Sequence, residues 1–337
     1  MYKVAILGGG VNGFANAVKI KEKFRDFEVV LISKDFSPYT TGDGSGGLWY
    51  PYLCGDKTPE RILMRWGCET YRLLHKLWLE GGHNVSLVPM YYLHQRKETY
   101  RRPMWASHVF GYHELGPKEL QYFSKRYSSQ YVAGEMFTSF VSRPPTIISY
   151  LEKRFLELNG KIIHADITSL SDDMLKDYDV LVNCTGLGAR TIVADKTVYP
   201  IRGQIARVKA PWLCEVVMDN DRENYILPNA DFCVLGGTHQ ENDYNTHVYI
   251  EDSDMVINGC TDIIPSLKNA EVLSEWVGLR PGRNEVRLEA EERDNKLIIH
   301  NYGHGGSGLT LFWGCATDVL AILEDKLKQK VKKISKL

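Results

Sequence analysis

The sequence predicts an α/β protein in which a discontinuous, doubly wound parallel-sheet domain carries an inserted mixed-sheet α+β domain. Three observations predict this architecture. The apolar run 4–7 leads directly into a glycine-rich turn and a helical pattern. Two further glycine-rich turns follow apolar runs, within 178–188 and 297–310. Between these two turns, stretches of period-2 alternation are typical of a mixed or antiparallel sheet.

The N-terminal turn is the most informative of these features. Gly8, Gly10 and Gly13 have G-x-G-x-x-G spacing between a strand and a helix predicted over 14–24. In Rossmann-like folds the first glycine allows the tight turn, the second lets the backbone approach a pyrophosphate, and the third lets helix and strand pack closely. Free N–H groups at the helix N-terminus would point at the phosphates. The spacing therefore predicts a dinucleotide site, with a purely structural turn as the alternative.

The next segments complete a βαβ unit and add polar candidates. A second strand is predicted over 27–32, after one helix. An acidic residue near the end of such a strand binds ribose hydroxyls, and Asp35, preceded by Lys34, is the candidate. The glycine-rich loop that follows offers the hydroxyls of Thr40 and Thr41 to a phosphate or a ring edge. A flexible surface loop is the alternative.

Later segments alternate between helical and strand patterns. A buried strand is predicted to end at Thr185, where small residues let a cofactor pass over the carboxyl end of the strand. The remaining expectations are helices over 58–80, 144–158, 251–269 and 311–328, strands over 85–94, 161–164 and 297–300, and short helices and turns over 95–130.

Arg280 stands out because it lies between Leu279 and Pro281 in an apolar stretch. An arginine in such surroundings can bind a carboxylate through two parallel hydrogen bonds, and a surface arginine is the alternative. The glycine-rich turn 301–310 then provides a second helix N-terminus, which can hold an anion or a polarised ring edge.

The composition argues against several kinds of partner. Lys and Arg number 41 and Asp and Glu number 42, so no net field favours nucleic acid or anionic lipid. No run approaches the ~18 apolar residues of a membrane span. The 7 scattered cysteines lack C-x-x-C spacing, which indicates reduced core residues and no metal site. Ser335-Lys336-Leu337 matches an address that the peroxisomal import receptor reads, so the expected location is the peroxisome matrix.

Nucleotide-binding elements at the start, in the middle and near the end of the chain predict one discontinuous cofactor domain. We assign residues 1–50, 140–195 and 284–337 to it. The intervening residues, 51–139 and 196–283, are assigned to a substrate-binding domain.

Several motifs occur in the order typical of one family: GGGVNG, TTGDGSGGLWYPYL, NCTGLGAR, RGQ, GLRPGR and HNYGHGGSGLTLFWGCA. Together they resemble the D-amino-acid oxidase family, which includes D-aspartate oxidase, over essentially the whole chain. The resemblance implies non-covalently bound FAD and oxidative deamination of D-amino acids to 2-oxo acids and ammonia. Oxygen would reoxidise the flavin and yield hydrogen peroxide, a product consistent with a peroxisomal location.

The resemblance also implies roles for individual residues. Arg280 matches the arginine that binds the substrate carboxylate, Tyr225 adds a hydroxyl to it, and the Gly306 carbonyl accepts from the substrate amine. At this place the family has an acidic residue followed by a basic one, whereas this chain has Lys34 followed by Asp35. Which of these two positions contacts the ribose is therefore open. The residues expected to contact FAD are Gly8, Gly10, Val11, Asn12, Gly13, Lys34, Asp35, Thr40, Thr41, Gly47, Leu48, Ile167, Thr185, Gly305, Gly306, Gly308, Leu309 and Thr310.

No acid or base stands at a motif position from which it could take the substrate α-proton. The resemblance therefore implies hydride transfer from the substrate Cα to flavin N5. In that mechanism the protein supplies orientation and electrostatics. Arg280 and Tyr225 would position the substrate and take no part in proton transfer.

Two substrate classes are open. D-Aspartate or D-glutamate would bring a second carboxylate, which needs a cation or strong donors when buried, and His239 and Arg222 are the candidates. For neutral D-amino acids, Tyr50, Leu48 and Leu227 would form an apolar wall. The motifs combine features of both branches, and on the sequence alone we favour the acidic substrates.

Two further hypotheses concern other classes of protein. A flavin-binding protein without turnover is argued against by the presence of both Arg280 and Tyr225. An oxidase of L-amino acids or glycine on the same scaffold is the other hypothesis, because motif spacing does not determine the handedness of the substrate. The sequence is silent on oligomeric state, and a homodimer is one state that it leaves open.

Overall fold

A computed structural model describes residues 2–334, so the expected peroxisomal address at 335–337 lies outside the described residues. The strands of this part of the chain are β1 (Lys3–Gly9), β2 (Glu28–Phe36), β3 (Val85–His94), β4 (Phe110–Glu114), β5 (Ala133–Ser142), β6 (Lys161–His164), β7 (Val180–Asn183), β8 (Tyr199–Lys209), β9 (Val216–Asp219), β10 (Asn224–Pro228), β11 (Cys233–Gly236), β12 (Gln240–Glu241), β13 (Glu271–Gly282), β14 (Arg287–Arg293) and β15 (Lys296–Tyr302). The α-helices are α1 (Val11–Lys23), α2 (Glu60–Glu80), α3 (Pro117–Arg126), α4 (Pro144–Glu157), α5 (Ala189–Ile192), α6 (Ile250–Ile263) and α7 (Gly308–Ile334).

The first sheet has the strand order β14-β15-β7-β1-β2-β6. Its neighbouring strands pair in parallel, except that the edge strand β14 runs antiparallel to β15. The chain leaves β1 through α1 to reach β2 on one side, whereas β7 lies on the other side. Sheets of this kind bind their ligands at the carboxyl ends of the strands, beside the point where the strand order reverses. That point is the end of β1.

Residues 4–7 of β1 are all apolar because both faces of the strand are covered there. Val4 and Ile6 belong to the core that includes Phe14 of α1. Ala5 and Leu7 face the opposite side and pack in a second cluster with residues of 167–175. The side chains of residues 4–7 are all buried. A parallel strand between two covered faces has a continuous apolar run, as the sequence predicts for this segment.

The second sheet has the order β12-β8-β11-β10-β9-β3-β5-β4, with β13 paired to β8. Most of its pairs are antiparallel, and β3 and β9 pair in parallel. Its strands come from 85–142 and 199–282, the segments that interrupt the first sheet along the chain. The predicted doubly wound fold with an inserted mixed sheet is confirmed. The domain bounds assigned from the sequence stay a prediction.

The segment 95–142 differs most from the sequence-based expectation. The sequence predicts short helices and turns over 95–130, whereas the structure also forms β4 and α3 there. Strand β5 then pairs with β3 along its whole length, from Ala133 opposite His94 to Ser142 opposite Val85. The polar residues within β5 hide its strand pattern, so the long-range pairing with β3 determines this element.

Helix α7 corrects the expectation that no segment has the length and apolar character of a membrane span. Within Gly305–Val331 an apolar window reaches a mean hydropathy of 1.4. Gly308, Thr310 and Gly314 break the continuous apolar run that the sequence analysis looked for, but because they are uncharged the mean hydropathy stays high. Of this window, 50% is buried inside the protein, and α7 packs against α1 and α2. The contacts are those of a core helix.

Arg202 of the RGQ motif joins β8 to α6 and the loop before it. Its side chain is fully buried, and Nη1 lies 2.6 Å from the Asp252 carboxylate of α6. Nη2 donates to the His247 carbonyl at 2.8 Å, and the guanidinium lies 4.1 Å from the centre of the Tyr249 ring. Gln204 of the same motif donates to the Tyr249 carbonyl at 2.8 Å. The motif therefore has a structural role at this position.

Arg202→Ala should lower the free energy of unfolding by about 3–5 kcal/mol, because it leaves the Asp252 carboxylate largely buried without its cation. Arg102→Ala is the matched control, since Arg102 pairs with Glu114 at the surface, and loss of an exposed ion pair costs about 0–1 kcal/mol. Urea unfolding followed by circular dichroism measures both variants. Equal effects of the two substitutions would contradict the structural role of Arg202.

Candidate active site

A cavity of about 570 Å³ is lined by residues of both sheets. This volume lies within the roughly 300–1,000 Å³ that is typical of small-molecule and cofactor sites. The predicted site residues that line it are Gly8, Gly10, Val11, Asn12, Asp35, Thr40, Thr41, Gly47, Leu48, Tyr50, Thr185, Tyr225, His239, Arg280, Gly305, Gly306, Gly308 and Leu309. The fold therefore brings most of the predicted site into one space.

One end of the cavity lies at the turn between β1 and α1. A Cβ at Gly10 would meet no atom within 4 Å, so the backbone there faces open space. A Cβ at Gly13 would lie 1.8 Å from the Gly8 carbonyl oxygen, so no side chain fits between α1 and β1. Helix α1 therefore begins close against the sheet, and the free N–H groups of its first turn are available to an anion at the cavity wall.

Two buried amide atoms of cavity residues have no hydrogen-bond partner within the described part of the chain: Asn12 Oδ1 and Asn301 Nδ2. His304 Nε2 lies 3.0 Å from Asn301 Oδ1. Burial lowers the pKa of His304 to about 4, so its imidazole is neutral and donates to that oxygen. Buried polar groups are normally paired, and these two atoms indicate a polar ligand in the cavity. The sequence analysis missed Asn301 and His304, although both lie in the last motif, after a buried strand.

The loop after β2 is held by its own hydroxyl groups. Thr40 donates to the Asp43 carboxylate through Oγ1 at 2.6 Å and through its backbone nitrogen at 2.9 Å. Thr41 Oγ1 donates to the Leu279 carbonyl at 3.3 Å. The sequence predicts both threonines as ligand contacts, and both line the cavity. Their hydroxyls also fix the shape of the loop, a role that the buried Asp43 makes possible and that the sequence analysis missed.

Two hydroxyls of the glycine-rich turn 301–310 hold the segment before α2. Thr310 Oγ1 accepts from the Tyr50 nitrogen at 3.2 Å and donates to the Tyr50 carbonyl at 2.9 Å. Ser307 Oγ makes the same pair of bonds to Tyr52, at 2.7 and 2.8 Å. Thr310 is predicted to contact FAD, but it is buried and does not line the cavity. It positions Tyr50, which does.

Four other predicted residues also lie outside the cavity lining. Gly13 packs on Gly8, Ile167 is buried in the core of the first sheet, and Lys34 forms an exposed ion pair. Arg222 Nε lies 3.7 Å from the buried Asp219 carboxylate. Ligand contacts of these residues stay a prediction. The Arg222 guanidinium faces Asp219 and does not line the cavity, and its Nη1 is buried without a hydrogen-bond partner among the described residues.

Arg280 and Tyr225 lie side by side in the second sheet. Arg280 Nη1 donates to the Thr238 carbonyl at 3.0 Å. Burial raises the pKa of the Tyr225 hydroxyl, and the nearby Arg280 guanidinium opposes this rise. The hydroxyl is therefore protonated at neutral pH and can donate. A guanidinium and a phenol that both line one cavity suit an anionic group such as a carboxylate.

Two strand glycines make room for this pair. A Cβ at Gly203 would lie 2.2 Å from Arg280 Nη1, and a Cβ at Gly236 would lie 2.2 Å from Tyr225 Cζ. Both side chains therefore rest directly on the backbone of the neighbouring strands, β8 and β11. The sequence analysis assigned no role to either glycine. A glycine inside a strand often marks the close approach of another group, which is the signal that could have found them.

The rest of the substrate-side lining is aromatic and polar. The rings of Tyr50 and Tyr92 are in edge contact, with centroids 5.6 Å apart. The Tyr92 hydroxyl donates to Asn220 Oδ1 at 2.5 Å. His239 Nε2 lies 3.8 Å from Glu223 Oε2. Sequence reasoning singled out Tyr50 and His239 but missed Tyr92, which only the pairing of β3 with β9 brings here. It also missed Asn220 and Glu223, although both lie in the turn directly before Tyr225.

Glu135 is buried behind Tyr92. The two residues are direct partners on β5 and β3, so their side chains share one face of the sheet. The Tyr112 hydroxyl donates to Glu135 at 2.8 Å. Burial raises the pKa of Glu135 to about 7, although the hydrogen bond from Tyr112 opposes this rise. The wall of the site therefore contains a carboxyl group that is largely protonated below neutral pH.

Comparison with known proteins agrees with this geometry. The family model described as FAD dependent oxidoreductase matches residues 3–321. The chain belongs to this family. A D-amino acid oxidase from Dugesia ryukyuensis is 36% identical over 335 residues, covering 96% of this chain and 98% of the relative. A D-aspartate oxidase from Homo sapiens is 33% identical over 330 residues, covering 96% and 95%.

Among solved structures, glycine oxidase from Geobacillus kaustophilus matches this FAD-dependent oxidoreductase with a TM-score of 0.81 and 19% identity. The match covers 96% of this chain and 95% of that one. At this identity the match supports the fold alone. The predicted family resemblance, fold class and FAD cofactor are confirmed.

The residues present fit FAD. The open backbone at Gly10 and the unpaired Asn12 Oδ1 and Asn301 Nδ2 form a polar cradle at one part of the cavity. The turn before α1 would hold the pyrophosphate, Asp35 at the end of β2 would bind ribose hydroxyls, and residues 305–309 would line the ring. When bound, FAD supplies the two-electron acceptor for substrate oxidation. Within residues 2–334, no group of three or more His, Cys, Asp or Glu side chains could hold a metal ion.

Gly203→Ala should raise KM for the substrate about tenfold or more, because the new Cβ displaces the Arg280 guanidinium from its place on β8, and hydrogen bonds to charged groups contribute about 1.5–3 kcal/mol. Visible flavin absorbance should show that FAD stays bound. Gly67→Ala is the control, since its Cβ would make only an ordinary contact of 3.4 Å with Trp49. A KM for Gly203→Ala equal to that of the control would show that Arg280 does not depend on this glycine.

Glu135→Gln should make the protein more stable at about pH 8 by on the order of 2–3 kcal/mol. Between the usual glutamate pKa of 4.5 and the raised Glu135 pKa of about 7, the folded state keeps a proton that the unfolded state releases. Wild-type stability therefore falls as pH rises through this range, and glutamine removes the fall while still accepting from Tyr112. Urea unfolding at several pH values measures the free energy of unfolding, with Glu98→Gln, at an exposed position, as the control. Parallel pH curves for wild type and Glu135→Gln would contradict the raised pKa.

Proposed function

We propose that this FAD-dependent oxidoreductase oxidises D-amino acids with uncharged side chains to 2-oxo acids and ammonia, with water supplying the 2-oxo oxygen and O2 taking up the two electrons as hydrogen peroxide. The observation that carries the proposal is the set of charged groups in the cavity. Among the described lining residues, Arg280 lies beside Tyr225 and suits the α-carboxylate. The second candidate cation, His239, faces the Glu223 carboxylate at 3.8 Å. The cavity therefore offers a strong binding site to the α-carboxylate of a substrate but not to a second carboxylate on its side chain.

The assignment to D-amino acids rests on the relatives. Two of them, 36% and 33% identical over nearly the full chain, are named D-amino acid oxidase and D-aspartate oxidase. In the proposed complex Arg280 and Tyr225 bind the α-carboxylate and the Gly306 carbonyl accepts from the amine. Tyr50 and Tyr92 then border the substrate side chain. These groups fix the orientation of Cα, and orientation of this kind is a large part of catalysis.

An acidic side chain is the second candidate, as the sequence analysis favours. His239 lines the cavity and supports it, and so does the relative named D-aspartate oxidase. Arg222 does not, since it lies against Asp219 and outside the cavity lining. Burying a carboxylate without a paired cation is costly. This balance makes the neutral substrates our proposal.

Delivery to the peroxisome matrix through Ser335-Lys336-Leu337 is part of the proposal. The tripeptide matches a signal that the import receptor reads, and confinement would suit an enzyme that releases hydrogen peroxide. The oligomeric state, including a homodimer, stays open.

Peroxide release by the purified FAD-bound protein tests the substrate class. We expect kcat/KM for D-alanine and D-norleucine to exceed that for D-aspartate about tenfold or more, because the aspartate side chain would be desolvated without a free cation. L-Alanine is the control for handedness and should give no peroxide. A tenfold preference for D-aspartate would instead establish the acidic candidate, and equal rates with L-alanine would contradict the assignment to D-amino acids.

A further inference from the structure

We propose that the indole of Trp276 joins the cofactor side of the site to the substrate side, so that the position of the loop 41–46 sets the affinity of Arg280 for a carboxylate. The part of the inference that concerns the carboxylate rests on the proposed function. Its starting point is that Trp276, Arg280 and residues of this loop line one cavity. Trp276 is a positioning residue, because it acts on the carboxylate through the strand that carries Arg280.

Trp276 and Arg280 project from the same face of β13. Alternate residues of a strand point to the same side of a sheet, so Trp276, Gly278 and Arg280 form one row, and all three line the cavity. A Cβ at Gly278 would lie 1.8 Å from Trp276 Cη2. The indole therefore lies over Gly278, the residue of the row that separates it from Arg280. Strand β13 stays paired with β8 along the whole row, from Trp276 opposite Ile205 to Arg280 opposite Ile201.

The same indole lies against the loop 41–46. A Cβ at Gly44 would lie 1.9 Å from Trp276 Cε2 and 2.1 Å from Cζ2. Gly44 is not among the glycines with positive φ, so the ring, and not the backbone conformation, excludes a side chain there. The Thr41 hydroxyl donates to the Leu279 carbonyl at 3.3 Å. The loop thus contacts β13 at two points, one on each side of Gly278.

A ring packed between two backbone segments transmits a displacement of one segment to the other. The indole is large and planar, it is partly buried, and it packs against the main core. Close-packed groups of this kind shift only when their neighbours shift. A change in the loop 41–46 therefore reaches Arg280 through Trp276, and a ligand held by Arg280 restrains the loop. Binding of FAD and binding of the carboxylate are then coupled, and such coupling is reciprocal.

Gly44→Ala and Gly42→Ala are matched substitutions within the loop. Alanine at position 44 must displace the indole, whereas a Cβ at Gly42 would make only ordinary contacts, 3.7 Å from Thr40 Oγ1 and 3.9 Å from Ile148 Cδ1. Titration calorimetry with hexanoate, a carboxylate with no α-amine to oxidise, measures the affinity of the Arg280 side at saturating FAD. Gly44→Ala should raise the Kd of hexanoate about fivefold or more, and Gly42→Ala should leave it within about twofold of wild type.

Removal of the indole tests whether this effect passes through Trp276. In a Trp276→Ala background, Gly44→Ala should change the Kd of hexanoate by less than about twofold, because the new methyl group no longer meets a ring. Trp276→Phe is the conservative variant. Its shorter ring leaves room for the methyl group, so Gly44→Ala combined with Trp276→Phe should bind hexanoate nearly as well as Trp276→Phe alone. An equal loss of affinity from Gly44→Ala in all three backgrounds would overturn the role of Trp276.

Release of FAD gives a second readout that needs no substitution in the loop. The Kd of FAD is obtained by diluting the FAD-bound protein and following free flavin fluorescence, with and without saturating hexanoate. Hexanoate should tighten FAD binding in wild type, and Trp276→Ala should reduce this factor about threefold or more. An equal factor in the two proteins, or no binding of hexanoate to wild type, would overturn the inference. Absence of peroxide from every D-amino acid tested would instead contradict the proposed function and leave the hexanoate comparison intact.

Discussion

The close packing of α1 against β1 is the constraint on which the whole site depends. A Cβ at Gly13 would lie 1.8 Å from the Gly8 carbonyl oxygen, so only a bare backbone allows the helix to start where it does. That start places the free N–H groups of α1 at the end of β1, where the strand order of the first sheet reverses. The glycine-rich turn 301–310, before α7, lines the same cavity. Backbone contacts thus prepare the FAD side before any functional side chain is considered.

The substrate side is built by the same kind of contact. Ser307 and Thr310 each use one hydroxyl to fix both backbone groups of a tyrosine in the segment before α2. Gly203 and Gly236 leave the space that Arg280 and Tyr225 occupy. The two donors are therefore positioned by the strands that pair with their own, β8 beside β13 and β11 beside β10. Preorganised groups of this kind can orient a substrate without rearrangement during the reaction.

The charged groups that line the cavity then determine which substrate side chains the site can bind. Arg280 and Arg222 look alike as candidate cations in the sequence, but a buried Asp219 engages Arg222 and leaves Arg280 for the cavity. His239, the remaining candidate, faces Glu223. The number of arginines near a site is therefore a poor guide to its charge, because an ion pair inside the wall removes a cation from the lining. This is why we propose neutral substrates where the sequence analysis favours acidic ones.

The sequence by itself determined the βαβ unit, the glycine turn at Gly8–Gly13 and the resemblance to D-amino-acid oxidases, and it predicted Arg280 and Tyr225 as a pair, both of which line the cavity. These features depend on residues close together in the chain or on motifs with fixed spacing. Only the tertiary structure decided that β5 forms against β3, that Thr310 holds Tyr50, and that the Asp252 carboxylate pairs with Arg202. Each of these depends on a partner far along the chain, and local patterns carry no information about which distant strand or carboxylate will lie opposite.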